Sequence, residues 1–252
     1  MSKKEQQIKI RVAGLSITLV RKPIKHMYLR IYPPDGRVVV TASHRFSKGQ
    51  VEAFVSSRKD YITAVQLRQR ESRAAQHRAL LPGGTVYRWG EPLRVSWVRS
   101  SGGRRGRAAV VGGKLVMTLP LVSVAVPAAE RAEVEWSMAK AALIEFYRRE
   151  IKSQAPALIA RWQRESGLQA HSWDFRKMHS RWGSCRPATG RISLNLYLAA
   201  LPITCLAYVI VHELVHLKER HHNQRFYNLL DSIFPDREAA ECLLRQERFL
   251  VL

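Results

Sequence analysis

The run ISLNLYLAALPITCLAYVIVHELVHLKERHHNQRF, residues 192–226, decides how the C-terminal half of the chain folds. From residue 192 to 211 it passes twenty residues without a charge, the length that a bilayer-spanning helix requires. Three features reject a membrane span. Pro202 interrupts the stretch, Ser193 and Asn195 sit early in it, and it runs straight into His212-Glu213. A buried strand over 192–198, a turn at Leu201-Pro202 and a buried helix over 204–218 account for the same residues.

That helix carries chemistry at its end. Residues i and i+4 share one helix face, so His212 and His216 can offer two imidazole nitrogens to one Zn²⁺ ion. Glu213 is rotated by about 100° from His212, which sets it beside such an ion, where a general base takes a proton from metal-bound water as the water attacks a carbonyl. Catalytic zinc usually takes three protein ligands and leaves one position open. Glu219, His221 and His222 are the nearby candidates for the third. On an unbroken helix His222 would stand about 240° around from His216, so the chain must turn after about Glu219, with Asn223 available to cap the next helix. On geometry alone either histidine can supply the ligand.

Working outward, the front of the chain alternates as strands over 8–12, 15–20, 27–32 and 38–42, the first pair joined by Ala13-Gly14 and the second by Pro33-Pro34-Asp35-Gly36. Ser47 and Gln50 form a capping-box pattern ahead of an amphipathic helix with Val51, Val55, Ile62 and Val65 on its apolar face and a basic tail over 68–78. After Leu81-Pro82-Gly83-Gly84, further strands are expected over 86–89, 93–98, 108–111 and 115–119, with Gly112-Gly113 as a hairpin signal. Pro127 opens a helix through about residue 149, which Pro156 interrupts or kinks. Residues 168–178 read as a strand, and helices follow over 226–234 and 237–249. No internal repeat stands out in the sequence. The expected fold class is α+β: a basic, β-rich N-terminal domain over residues 1–125 with one amphipathic helix, then a compact, mainly helical domain over 126–252 with a small sheet.

Composition sets the partners. Lys and Arg number 42 against 20 Asp and Glu, a net charge of +22. Residues 1–110 hold 23 basic and 6 acidic residues, residues 111–252 hold 19 and 14. Such a field attracts phosphates, so nucleic acid is a candidate partner of the basic N-terminal half, although no aromatic residues interleave with the charges as a stacking platform would need. Cys185, Cys205 and Cys242 are far apart and form no CxxC pair, which excludes a disulfide framework and a cysteine zinc site and fits a reducing cytoplasm. The first twelve residues, MSKKEQQIKIRV, lack the apolar run of a signal peptide, so a cytoplasmic location is expected.

Taken in order, Arg181-Trp182-Gly183-Ser184-Cys185, Ile192-Ser193-Leu194-Asn195, residues 208–217 and His222 with Phe226 and Pro235 resemble the YgjP-like metallopeptidases, relatives of the SprT-like and WLM peptidases among the zincins. A weaker likeness in the N-terminal half runs through residues 27–30, 35–41 and 54–61. The resemblance implies a zincin-type peptidase domain, His222 as the third metal ligand with His212 and His216, and Glu213 as the catalytic base. His221 stands where that family usually has Asn. The implied activity is zinc-dependent hydrolysis of peptide bonds by Glu-assisted attack of metal-bound water on a polypeptide substrate. Ser193 and Asn195 alternate on one strand face and are candidate substrate-binding residues, since extended substrates pair with a strand edge in zincins generally. Arg181 is a further candidate. Two rival readings keep the ion: a metal-dependent nucleotide phosphohydrolase, for which no P-loop is present, and a nucleic-acid-binding protein with a structural zinc.

Overall fold

The computed structural model describes residues 6–33 and 35–245. Pro34 of the second expected turn, residues 1–5 and residues 246–249 of the last expected helix lie outside the described residues. The chain divides into two compact units, Met1–Gln76 and His77–Leu252.

In the first unit, β1 (Gln6–Val12) and β2 (Leu15–Arg21) form the expected hairpin, and β3 (Tyr28–Tyr32) and β4 (Arg37–Ala42) form another. The two are joined by parallel pairing of β2 with β4, giving the order β1-β2-β4-β3. Ile17 and Leu19 of β2 and Val38, Val40 and Ala42 of β4 turn inward at every second residue, as a half-buried sheet demands, and meet Val51, Val55 and Ile62. The capping box is present: Ser47 Oγ accepts from Gln50 N–H at 3.2 Å and Gln50 Oε1 accepts from Ser47 N–H at 2.8 Å. The expected single helix is two, α1 (Lys48–Ser56) and α2 (Lys59–Leu80), and the basic tail is helical throughout.

The second unit opens with strands of the same connectivity. Here β5 (Thr85–Arg88), β6 (Glu91–Ser100), β7 (Arg107–Val111) and β8 (Lys114–Pro120) run in the order β5-β6-β8-β7, again two antiparallel hairpins joined by a parallel pair. The repeat absent from the sequence is thus present in topology. Topology depends on the order and polarity of apolar strands, which many sequences satisfy. Residue 125, the expected domain boundary, falls inside this unit. Leu93, Val95, Leu115, Met117 and Leu119 share one apolar core with α3 (Ala128–Ser166) and with the helices that follow.

Pro156 does not end α3, which runs 39 residues to Gly167. An interior proline costs roughly 3 kcal/mol. Ile151, Ala155, Ile159 and Trp162 are buried on one stripe around it, and an apolar side chain of that size returns about 1.5–3 kcal/mol when fully buried, so packing overrides the break.

The deciding stretch folds as strand, turn and helix in the expected order, with the strand ending at Asn195 instead of residue 198 and the helix at Val215 instead of residue 218. It forms β11 (Arg191–Asn195), a 3-10 turn at Leu196–Ala200, and α4 (Ile203–Val215) starting behind Pro202. Among the described residues no helix is long and apolar enough to cross a membrane. β11 is the middle of a three-stranded sheet, antiparallel to β10 (Gly183–Arg186) and parallel to β9 (Ser172–Arg176). α5 (Gln224–Ile233) and α6 (Arg237–Leu244) complete the unit.

The hairpin between β5 and β6 fixes where α4 begins. At its tip Trp89 and Gly90 adopt φ of 51° and 89°, and their N–H groups donate to the carbonyls of Ala199 and Ala200 at 2.8 and 3.1 Å. Trp89 Nε1 donates to Glu150 of α3 at 2.9 Å, and a Cβ on Gly90 would stand 2.9 Å from Pro202 Cγ. Gly90→Ala therefore suffers both a strained backbone and a collision, whereas Gly113→Ala, at φ 71° in open space, suffers the strain alone. Thermal unfolding of Gly90→Ala is expected at a lower midpoint than that of Gly113→Ala, with a destabilisation of about 1–3 kcal/mol from strain and more from the contact; equal midpoints would show that the tip is not pinned to Pro202.

Candidate metal centre

α4 is apolar on nearly every face, and Leu206, Val209, Ile210, Val211, Leu214 and Val215 are buried, so the helix threads the core and delivers its last turn to the floor of a cleft of about 700 Å³. The helix ends at Val215. His216 keeps φ −62° and ψ −15°, still close to helical, so its ring stays on the face of His212. The chain then tightens: the N–H groups of Lys218 and Glu219 both return to the carbonyl of Val215, at 3.0 and 2.9 Å. Asn223 starts α5 by accepting from Phe226 N–H at 2.9 Å, and its amide donates to Glu219 Oε2 at 3.2 Å. The turn after about Glu219 and the cap at Asn223 are as the spacing required.

This turn returns His222, not His221, to the other two histidines. His222 Nε2 lies 3.1 Å from His212 Nε2 and 3.1 Å from His216 Nε2. Three ring nitrogens at such distances are the edges of a small coordination polyhedron; ligands on a tetrahedral centre with bonds of ~2.0–2.1 Å are separated by roughly 3.3 Å. The group could hold a metal ion. His221 is exposed and outside the cluster.

Two of the rings are oriented from behind. His216 Nδ1 lies 2.9 Å from the carbonyl oxygen of Glu219, an acceptor only, so Nδ1 carries the proton and Nε2 presents its lone pair. His212 Nδ1 lies 3.2 Å from the Tyr208 hydroxyl, which donates to Glu241 Oε1 at 2.8 Å. Beneath all three sits Phe226, fully buried, its ring centroid 5.0, 4.7 and 4.6 Å from those of His212, His216 and His222. Burial, reinforced by the neighbouring imidazoles, pushes His212 down to about 3; burial also lowers His216. Both are therefore neutral near pH 7, the form that binds metal.

Glu213 is 5% exposed and lines the same cleft. Its Oε2 is buried without a hydrogen-bond partner, and burial pushes the carboxyl up to about 8 against the attraction of Arg181. Gly183 makes room for it. A Cβ at that position would stand 2.5 Å from Glu213 Oε1 and 2.7 Å from its Cγ. The donor set and the unpartnered carboxylate together fit a divalent ion held by three imidazoles.

The candidate substrate residues separate. Arg181 lines the cleft. Ser193 and Asn195 do not: they are 4% and 3% exposed, because the middle strand of a sheet covered on its faces has no solvent side. Asn195 instead braces the loop before β10, its amide donating to the carbonyls of Met178 and Arg181 at 3.0 and 2.8 Å and its oxygen accepting from the N–H groups of Met178 and Tyr197. Both edges of β11 are already paired, so an extended substrate cannot add there. The outer edge at the cleft belongs to β10, whose Gly183, Ser184 and Cys185 line it. The roles of Phe226, Gly183 and Glu241 were not read from the sequence. The helical offset from Tyr208 to His212 was visible, but the residues that meet them arrive from α5, β10 and α6.

No curated protein matches the chain. Among solved structures, the crystal structure of the metallopeptidase zymogen of Pyrococcus abyssi abylysin is similar at 23% identity over 35% of this chain and 86% of that one, with a TM-score of 0.32. That of the metallopeptidase zymogen of Methanocaldococcus jannaschii jannalysin is similar at 21% identity over 36% and 94%, with a TM-score of 0.34. At those scores no residue can be carried across. The family described as YgjP-like, metallopeptidase domain, matches residues 25–247, nearly the whole length and every residue of the histidine cluster. The chain belongs to the YgjP-like metallopeptidase family.

Proposed function

We propose that the protein is a zinc-dependent peptidase of the HExxH type, in which His212, His216 and His222 hold the ion and Glu213 is the catalytic base. The observation that carries this reading is the convergence of three Nε2 atoms beside a buried carboxyl whose Oε2 no protein group satisfies. An all-imidazole set of three suits zinc, which when bound there would supply Lewis acidity toward the scissile carbonyl and acidify the attacking water. Among the described residues the cluster offers three protein ligands, not four, which is the count of a catalytic site and favours this reading over a structural zinc.

The chain's own residues do the rest. Glu213, desolvated and raised toward neutrality, takes the proton of the attacking water and returns it to the departing amine nitrogen. Gly183 keeps the carboxylate in place by leaving it space, and the free edge of β10 offers backbone groups with which an extended polypeptide can pair. Arg181 stands over the cleft, where its charge draws Glu213 toward the ionised form.

Cleavage of casein or a fluorogenic peptide is expected to require the metal: chelator treatment abolishes it and one equivalent of Zn²⁺ restores it. Glu213→Gln is expected to lose at least about 100-fold in kcat while binding zinc as the wild type does; an unimpaired variant would remove Glu213 from the chemistry. His222→Ala is expected to lose stoichiometric zinc, measured by metal analysis after dialysis, and His221→Ala to keep it. Gly183→Ala forces the Glu213 carboxylate aside, and a misplacement of about 1 Å costs on the order of 100-fold in kcat. Its zinc content should be unchanged, and a wild-type kcat would show that the close approach at Gly183 has no bearing on catalysis.

A further inference from the structure

We propose that Tyr208 and Glu241 form a directed hydrogen-bond relay that fixes the tautomer of His212, which makes Glu241, on α6, a positioning residue of the metal site. The inference rests on the reading of His212 as a metal ligand. A tyrosine hydroxyl carries one proton. Glu241 Oε1, at 2.8 Å, is an acceptor only when ionised and takes that proton, so toward His212 Nδ1, at 3.2 Å, the hydroxyl can only accept. The imidazole proton is thereby assigned to Nδ1, and Nε2, the atom 3.1 Å from His222 Nε2, is left bare.

The start of the relay is held from behind by two arginines. Arg237 Nη1 donates to Glu241 Oε1 at 3.3 Å and Arg245 Nη2 to Oε2 at 3.2 Å. Arg237 is itself anchored by Asp231 at 2.6 Å and lies over the ring of Tyr227. Both carboxylate oxygens accept from guanidinium groups and Oε1 accepts from Tyr208 as well, which gives the relay its direction. His216 reaches the same tautomer through the backbone carbonyl of Glu219, which no side-chain substitution removes. For His212 the equivalent restraint is carried by side chains from two helices. A partner behind a metal-bound imidazole also raises its basicity, and losing one typically weakens metal affinity by roughly 10- to 100-fold.

Two measurements on the full chain test the relay. In metal-free wild type, ¹⁵N-edited NMR of the histidine rings is expected to show His212 protonated on Nδ1, and Tyr208→Phe to show a mixture of tautomers. Zinc dissociation constants from chelator competition are expected to rise roughly 10- to 100-fold in Tyr208→Phe and Glu241→Ala, and less in Glu241→Gln, whose amide oxygen can still accept. Because Glu241→Ala also strips Arg237 and Arg245 of a partner, Tyr208→Phe, which keeps those pairs, is the deciding variant, with circular dichroism to check its fold. A folded Tyr208→Phe that binds zinc within twofold of wild type, or a His212 proton on Nε2 in the metal-free wild type, would overturn the relay. Failure of the wild type itself to bind zinc would instead overturn the parent reading, and the tautomer measurement would still judge the relay without any metal.

Discussion

Imidazole nitrogens that turn their lone pairs to a common point repel one another unless a cation sits between them. Holding Nε2 atoms 3.1 Å apart is therefore a demand placed on the whole second unit. α4 meets it by burying its apolar residues so completely that its last turn cannot drift, the turn at 216–222 by breaking the helix where His222 would otherwise face away, and Phe226 by filling the space beneath the rings. Each of these is a packing or backbone solution to an electrostatic problem. The same burial that fixes His212 and His216 also lowers their affinity for a proton, so rigidity and metal competence have one cause in those two rings.

Glu213 faces the opposite constraint. A buried carboxylate oxygen without a partner is costly, and the cost appears as a carboxyl pushed up to about 8. Gly183 contributes the absence of a side chain, while Asn195, one strand further in, secures the loop that leads to it. Arg181 supplies the single favourable charge. The sheet thus serves the site through what it leaves out as much as through what it presents.

The sequence made the metal helix legible because helical periodicity is local: the spacing of His212 and His216, the rotation of Glu213 and the forced turn before Asn223 all follow from 3.6 residues per turn. The stretch from 192 to 211 resolved for the same reason, since Pro202 breaks it where the structure does. What stayed hidden was non-local. Ser193 and Asn195 read as substrate-binding candidates because alternation reports two faces without saying whether either is exposed, and nothing local marks residues 183–186 as the strand that occupies the edge of β11. Pro156 was expected to disturb α3 because local propensity speaks before the tertiary burial of Ile151, Ala155 and Ile159 is known. Glu241 carries no local signal, because its partner Tyr208 lies on a different helix.

Two groups of four strands in this chain share one order and one pattern of parallel and antiparallel pairing, each followed by a helix, without a recognisable likeness in sequence. The loops that join their first two strands differ in what they hold: the tip at Trp89-Gly90 carries the start of α4 through Ala199, Ala200 and Pro202, whereas the corresponding tip at Ala13-Gly14 has open space around its glycine.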